Sequence, residues 1–92
     1  MRSRRSKAFR ELFRTLPIDV KRQAYVAYRL FALDPRHPGL HFKKLHDKLY
    51  SVRIGRSYRA LGIVDNPDLI LWVWIGSHTD YDKLIKRIIG GK

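Results

Sequence analysis

The 92-residue sequence has no cysteine, one methionine and only eight acidic residues. The absence of cysteine excludes a disulfide scaffold and a thiolate zinc site, and fits a reducing compartment. The scarcity of Asp and Glu leaves twenty Lys and Arg largely uncompensated, for a formal net charge of +12. A field of that sign attracts polyanions, so nucleic acid, an anionic membrane and an acidic protein are the partner classes to weigh against a merely soluble basic surface. Long apolar runs are also missing. The longest, from Leu69 to Gly76, is far too short to span a bilayer. The basic stretch from Met1 to Arg14 is not followed by an apolar signal-peptide segment. These absences predict a cytoplasmic protein that does not enter a membrane.

What remains is an ordinary globular composition, 45% hydrophobic and 12% aromatic. There is no repeat, low-complexity segment or linker, so residues 1–92 read as one domain. From Ser6 to Leu16, Phe9, Leu12, Phe13 and Leu16 recur at helical spacing, with Ser6 or Ser3 available as N-cap. Pro17 separates this helix from a second over Ile18 to Leu33, whose apolar stripe is Val20, Ala24, Ala27, Tyr28 and Phe31. Asp34, Pro35, Pro38 and Gly39 end it. The period then changes to two, giving strands over Leu49 to Ile54, Tyr58 to Val64 and Leu69 to Ile75, with a turn at Asp65-Asn66-Pro67-Asp68. The last strand is apolar on both faces, which suits the middle of a sheet. A final helix over Thr79 to Ile89 starts at a capping box of Thr79 and Asp82, with Tyr81, Leu84, Ile85 and Ile88 on its apolar face. The fold class is α+β: a helical hairpin and a C-terminal helix packed on one face of a small antiparallel meander.

The hairpin around Gly55 carries the sharpest inference. A two-residue turn would send Arg53 and Arg59 to opposite faces. A three-residue turn, Gly55 to Ser57, pairs Ile54 with Tyr58 and Arg53 with Arg59. The second register puts Tyr50, Val52, Ile54, Tyr58, Ala60 and Val64 on one apolar face and Ser51, Arg53, Arg59 and Leu61 on the other. Two guanidiniums directly opposite one another repel unless an anion lies between them, so this register predicts a phosphate-sized site. Two solvated surface arginines are the plainer alternative.

His78 lies between the last strand and the last helix, where a loop histidine is both held and accessible. Its ordinary titration range suits proton transfer near neutrality. Tyr81, three residues on, borders the same cleft or packs in the core. His37, His41 and His46 have poor spacing for a metal, and no carboxylate or thiolate cluster supports one, so neither a metal nor a cofactor is expected. Asp80 and Asp82 read as first-turn carboxylates of a helix. Trp72 and Trp74 read as packing within the fold. Lys43 and Lys44, in the basic stretch before the sheet, and Arg56, at the hairpin tip, are candidate cations for steering a polyanion.

The order of these pieces resembles a known family. A helical hairpin is followed by His41-Phe42-Lys43-Lys44-Leu45, then Leu49-Tyr50-Ser51-Val52-Arg53-Ile54-Gly55, Tyr58-Arg59-Ala60-Leu61 and Trp74-Ile75-Gly76-Ser77-His78. That succession, covering roughly residues 6 to 89, resembles the RelE/ParE superfamily of bacterial type II toxins. The resemblance implies a concave sheet face that cuts messenger RNA, often on the ribosome, without a metal and through the RNA's own 2′-hydroxyl. It places Arg53, Arg59, His78 and Tyr81 as the catalytic set, and it implies an antitoxin protein as partner. The chain also departs from the pattern. Many members begin with a strand, whereas Met1 to Arg5 read poorly as one, which leaves that sheet edge open to question. Ser51 stands where some RelE-like toxins have a lysine, and no carboxylate base aligns in the strands. Two other functions share this outline: a ParE-like inhibitor of DNA gyrase that cuts nothing, and a non-catalytic nucleic-acid-binding module.

Overall fold

The computed structural model describes residues 1–90. Five strands and three helices follow one another as β1 (Arg2–Arg5), α1 (Lys7–Arg14), α2 (Ile18–Leu33), β2 (Lys43–His46), β3 (Leu49–Ile54), β4 (Tyr58–Asn66), β5 (Leu69–Ser77) and α3 (His78–Ile88), with a short 3-10 turn at Pro38–Leu40. The strands form one mixed sheet in the order β1-β5-β4-β3-β2. Strands β2 to β5 are the antiparallel meander, and β1 lies parallel to β5.

The hairpin helices follow their sequence signals. Ser6 caps α1 by accepting from the Phe9 N–H at 3.0 Å, which satisfies one of the free donors of the first turn. Pro17 stands at the N-cap position of α2 and Asp34 closes it. Val20, Ala24, Ala27 and Phe31 are buried, but Tyr28, expected in the same stripe, is largely exposed. The core lies between this hairpin and the face of the sheet bearing Val52, Ile54, Ala60, Ile70, Trp72 and Ile75. At its centre Phe31 meets Phe42 and Trp72 edge-on, with ring centroids 5.0 and 5.3 Å apart, the arrangement that aromatic quadrupoles favour.

Both edge strands were hidden in the sequence. Arg2 to Arg5 form β1, with Arg2↔Leu69 through Arg5↔Trp72 in register and flanking hydrogen bonds from Arg2 N–H to Asp68 O and from Ser6 N–H to Trp72 O. The sheet therefore keeps that edge. Edge pairing satisfies backbone groups whatever the side chains are, and cationic residues there discourage a further strand from adding. Lys43 to His46 do the same on the other side as β2. The meander turns also tighten: β4 runs on to Asn66 and pairs it with Leu69, leaving Pro67 and Asp68 as the turn.

Helix α3 corrects two expectations. It starts at His78, one residue early, because Ser77 and not Thr79 is its N-cap, accepting from the Asp80 N–H at 3.1 Å. It also does not join the hairpin on the same face. Its buried Tyr81 lies 6.5 Å from the Trp74 ring, and Trp74 pairs with Leu61 on the opposite face. That face is therefore partly covered: Leu61 and Ser51 are fully buried on it.

Candidate active site

Strands β3 and β4 adopt the three-residue turn. Ile54 pairs with Tyr58 and Arg53 with Arg59, and Gly55 takes the left-handed conformation, φ 56°, that such a loop needs. Arg53 and Arg59 thus project side by side on the α3 face of the sheet. Gly76 is the β5 partner of Arg59, and the Trp74 indole lies across the space its missing side chain leaves, 2.5 Å from where a Cβ would stand. A side chain at residue 76 would displace the indole that walls this end of the site.

The end of β5 brings His78 to the arginines. The His78 N–H donates to Ser57 O at 2.7 Å, tying the start of α3 to the β3–β4 turn. Arg59 Nε then donates to His78 Nδ1 at 3.2 Å. The Arg59 guanidinium also lies over the Tyr81 ring, 5.2 Å from its centroid, and the His78 and Tyr81 rings stack at 5.9 Å. On its far side His78 Nε2 faces Asp82 Oδ2 at 3.6 Å. Arg53 donates from Nε to Gly55 O at 3.0 Å, and its Nη1 lies 3.4 Å from His41 Nε2.

The four residues expected to act together, Arg53, Arg59, His78 and Tyr81, are therefore neighbours. Among the described residues neither arginine pairs with a carboxylate. One nitrogen of Arg59, Nη1, is buried with no partner among the described residues. A buried guanidinium N–H left unpaired costs on the order of 1–3 kcal/mol, so the arrangement is poised for an anion that would relieve it. Of the outlying cations, Lys43 pairs with Ser51 and shares the arginine face, whereas Lys44 pairs with Tyr50 and points to the hairpin side. Arg56 is exposed at the hairpin tip.

Two residues of this cluster had no role assigned from the sequence. From the sequence Asp82 reads as the capping-box partner of Thr79 and a first-turn carboxylate, yet the four-residue helical spacing from His78 is what brings the two together. His41 was set aside with the other histidines. The three separate in space: His37 Nδ1 accepts from the Gly39 N–H, His46 pairs across from Leu49, and His41 caps the Pro38–Leu40 turn in the left-handed conformation, beside Arg53. Among the described residues no cluster of His, Cys, Asp or Glu is arranged to hold a metal.

A separate cleft of about 260 Å³ opens between the helical hairpin and the other sheet face, lined by Phe9, Phe13, Tyr25, Tyr28 and Trp72 with Arg5 and Arg29. Its lining has no histidine or carboxylate.

The ParE-like toxin domain family matches residues 19–83. The chain belongs to that family, and so to the RelE/ParE superfamily of toxins from type II toxin–antitoxin systems. No curated protein matches the sequence. Solved structures of similar fold include a chain of the RelB–RelE antitoxin–toxin complex of Methanococcus jannaschii, at 17% identity and a TM-score of 0.70, covering 88% of this chain and 96% of that one. A chain of the RelE–RelB complex of Pyrococcus horikoshii is 21% identical with a TM-score of 0.68, covering 83% and 92%. The isolated RelE toxin of Escherichia coli is 16% identical with a TM-score of 0.64, covering 96% and 98%. At these identities the likeness is one of fold. Among the described residues no helix is long and apolar enough to cross a membrane.

Proposed function

We propose that this toxin is an endoribonuclease that cuts messenger RNA in the cytoplasm, on or off the ribosome, and is held in check by a cognate antitoxin protein. The observation that carries the reading is the cross-strand pair Arg53 and Arg59, with no carboxylate partner among the described residues and a histidine on Arg59. Cleavage through the 2′-hydroxyl needs charge stabilisation around a phosphorane and groups that move protons. The two guanidiniums supply the first. His78 supplies the second by accepting the 2′-hydroxyl proton, and Tyr81 packs against both Arg59 and His78 and orients them. Lys43 and Arg56 extend the cationic track along which the RNA backbone lies, and Lys44, on the hairpin side, adds to the long-range field. The antitoxin is supported by the RelB–RelE complexes among the structures of similar fold.

The test is induced expression in a bacterium of the wild type and of Arg59→Ala, with transcripts mapped for new 5′ ends. Growth arrest with cut messages, lost in Arg59→Ala, supports the nuclease. The ParE-like family match favours one competing reading, inhibition of DNA gyrase. Arrest with intact messages and DNA-damage signalling would establish that reading instead.

A further inference from the structure

The arginine pair is flanked by a histidine at each end. Across the sheet the order is His41 just before β2, Arg53 on β3, Arg59 on β4 and His78 just after β5. The two contacts mirror one another: Arg53 Nη1 lies 3.4 Å from His41 Nε2, and Arg59 Nε lies 3.2 Å from His78 Nδ1. A guanidinium has donors only, so a neutral His78 faces Arg59 with its Nδ1 lone pair, whereas the role of His41 Nε2 beside Arg53 is set by its protonation. Displacement at phosphorus is in line, with the attacking oxygen entering opposite the leaving one, so a proton acceptor and a proton donor on opposite sides of a bound phosphate are what the reaction requires.

We propose that His41 is the general acid of this site, set across the arginine pair from His78 as general base. The proposal rests on the nuclease reading. The Nδ1 atom of His78 takes the proton of the 2′-hydroxyl as the 2′-oxygen bonds to phosphorus. The bond from phosphorus to the 5′-oxygen breaks, and a protonated His41 delivers its Nε2 proton to that oxygen. The products are a 2′,3′-cyclic phosphate and a 5′-hydroxyl; His78 ends protonated, His41 neutral, and exchange with water resets both. When the phosphate enters, the guanidiniums turn their N–H groups onto its oxygens and leave each ring nitrogen facing the reacting atoms.

The division of roles follows from the neighbours. His78 has Asp82 at 3.6 Å from Nε2, which steadies the imidazolium formed when it accepts a proton. Among the described residues His41 has no carboxylate partner. Arg53 faces it from β3.

The test compares His41→Asn and His78→Ala on two RNAs cut by the wild type, one ordinary and one with sulfur in place of the 5′-bridging oxygen at the scissile linkage, free or on a programmed ribosome. Asparagine tolerates the left-handed backbone at residue 41, φ 48°. Circular dichroism confirms that each variant is folded. A thiolate leaves without a proton. His41→Asn is therefore expected to slow ordinary cleavage by about 10²–10⁴-fold and to recover most of the rate on the sulfur substrate, while His78→Ala is slow on both. Wild-type cleavage of ordinary RNA by His41→Asn, or a loss that sulfur does not relieve, overturns the assignment of His41. A wild type that cuts neither RNA removes the nuclease reading itself, before any variant is compared.

Discussion

Arg59 Nε donates to Nδ1 of His78 across 3.2 Å, so an arginine from the middle of the sheet decides which nitrogen of a helix-terminal histidine carries its proton. With Nδ1 accepting, a neutral ring carries its proton on Nε2, which faces Asp82 Oδ2 at 3.6 Å. A carboxylate and a guanidinium thus hold one imidazole from its two ends.

That relationship is measurable without any assay of activity. In the wild type the nitrogen-15 shifts of the neutral His78 ring are expected to report the Nε2–H form. In Arg59→Leu and in Asp82→Ala they are expected to move toward a mixture of the two tautomers. Identical shifts in all three proteins would show that neither neighbour orients the ring.

Replacing Arg59 by lysine keeps the charge and loses the planar fork. The three donors of a lysine radiate from one nitrogen and lack the planar fork that presents one edge to His78 and another to a phosphate. Arg59→Lys is expected to lower the cleavage rate by about 10²–10³-fold, the size of effect seen when one preorganised donor is lost. RNA affinity, which follows charge, should fall far less. A variant as fast as the wild type would mean that charge alone suffices at this position.

Ser51 is fully buried, and its Oγ finds no partner among the described residues. An unpaired buried hydroxyl costs on the order of 1–3 kcal/mol. Ser51→Ala should therefore raise the urea midpoint, with a gain of about 1 kcal/mol. A lower midpoint would show that the hydroxyl is engaged.

Lys48 and Asp65 form an exposed ion pair at 2.6 Å between the β2–β3 turn and β4. The hydrogen bond from Lys48, and then its charge, hold the Asp65 carboxyl below its usual value of 3.8. The bond to Asp65, and then its charge, raise Lys48 above 10.5. The carboxylate's contribution is thus present above 3.8 and lost as the pH falls through the lower folded value. That of the amine is present below 10.5 and lost as the pH rises through the higher folded value. The melting temperatures of the wild type and Asp65→Asn should differ slightly at neutral pH and converge in acid, in strong base and at high salt. A difference that persists in acid would mean that the asparagine acts through something other than the ion pair.

The reading of the sequence succeeded where one physical signal ruled. Helix α2 spans Ile18 to Leu33, as the apolar period and its flanking breakers require. The arginine pairing followed from turn length alone, because side chains alternate strictly along a strand and a one-residue change in the loop reverses their faces. Reading failed where the signal was not in the side chains. Arg2 to Arg5 and Lys43 to His46 have nothing of a strand in their composition, yet both are strands, because β5 and β3 offer them backbone donors and acceptors to pair with. Asp82 was visible at helical spacing from His78, but a first-turn carboxylate explained it equally well until Ser77 proved to be the cap.

The sequence by itself determined the basic field, the helical hairpin, the meander and the register that sets Arg53 beside Arg59. Each of these follows from composition or from contacts a few residues apart. The tertiary structure alone decided which face α3 covers, that His41 rather than His37 or His46 reaches an arginine, and that Arg59 and Asp82 share His78 between them. Those contacts join residues from the two ends of the sheet, and no local period records them: they exist only once packing has closed the chain on itself.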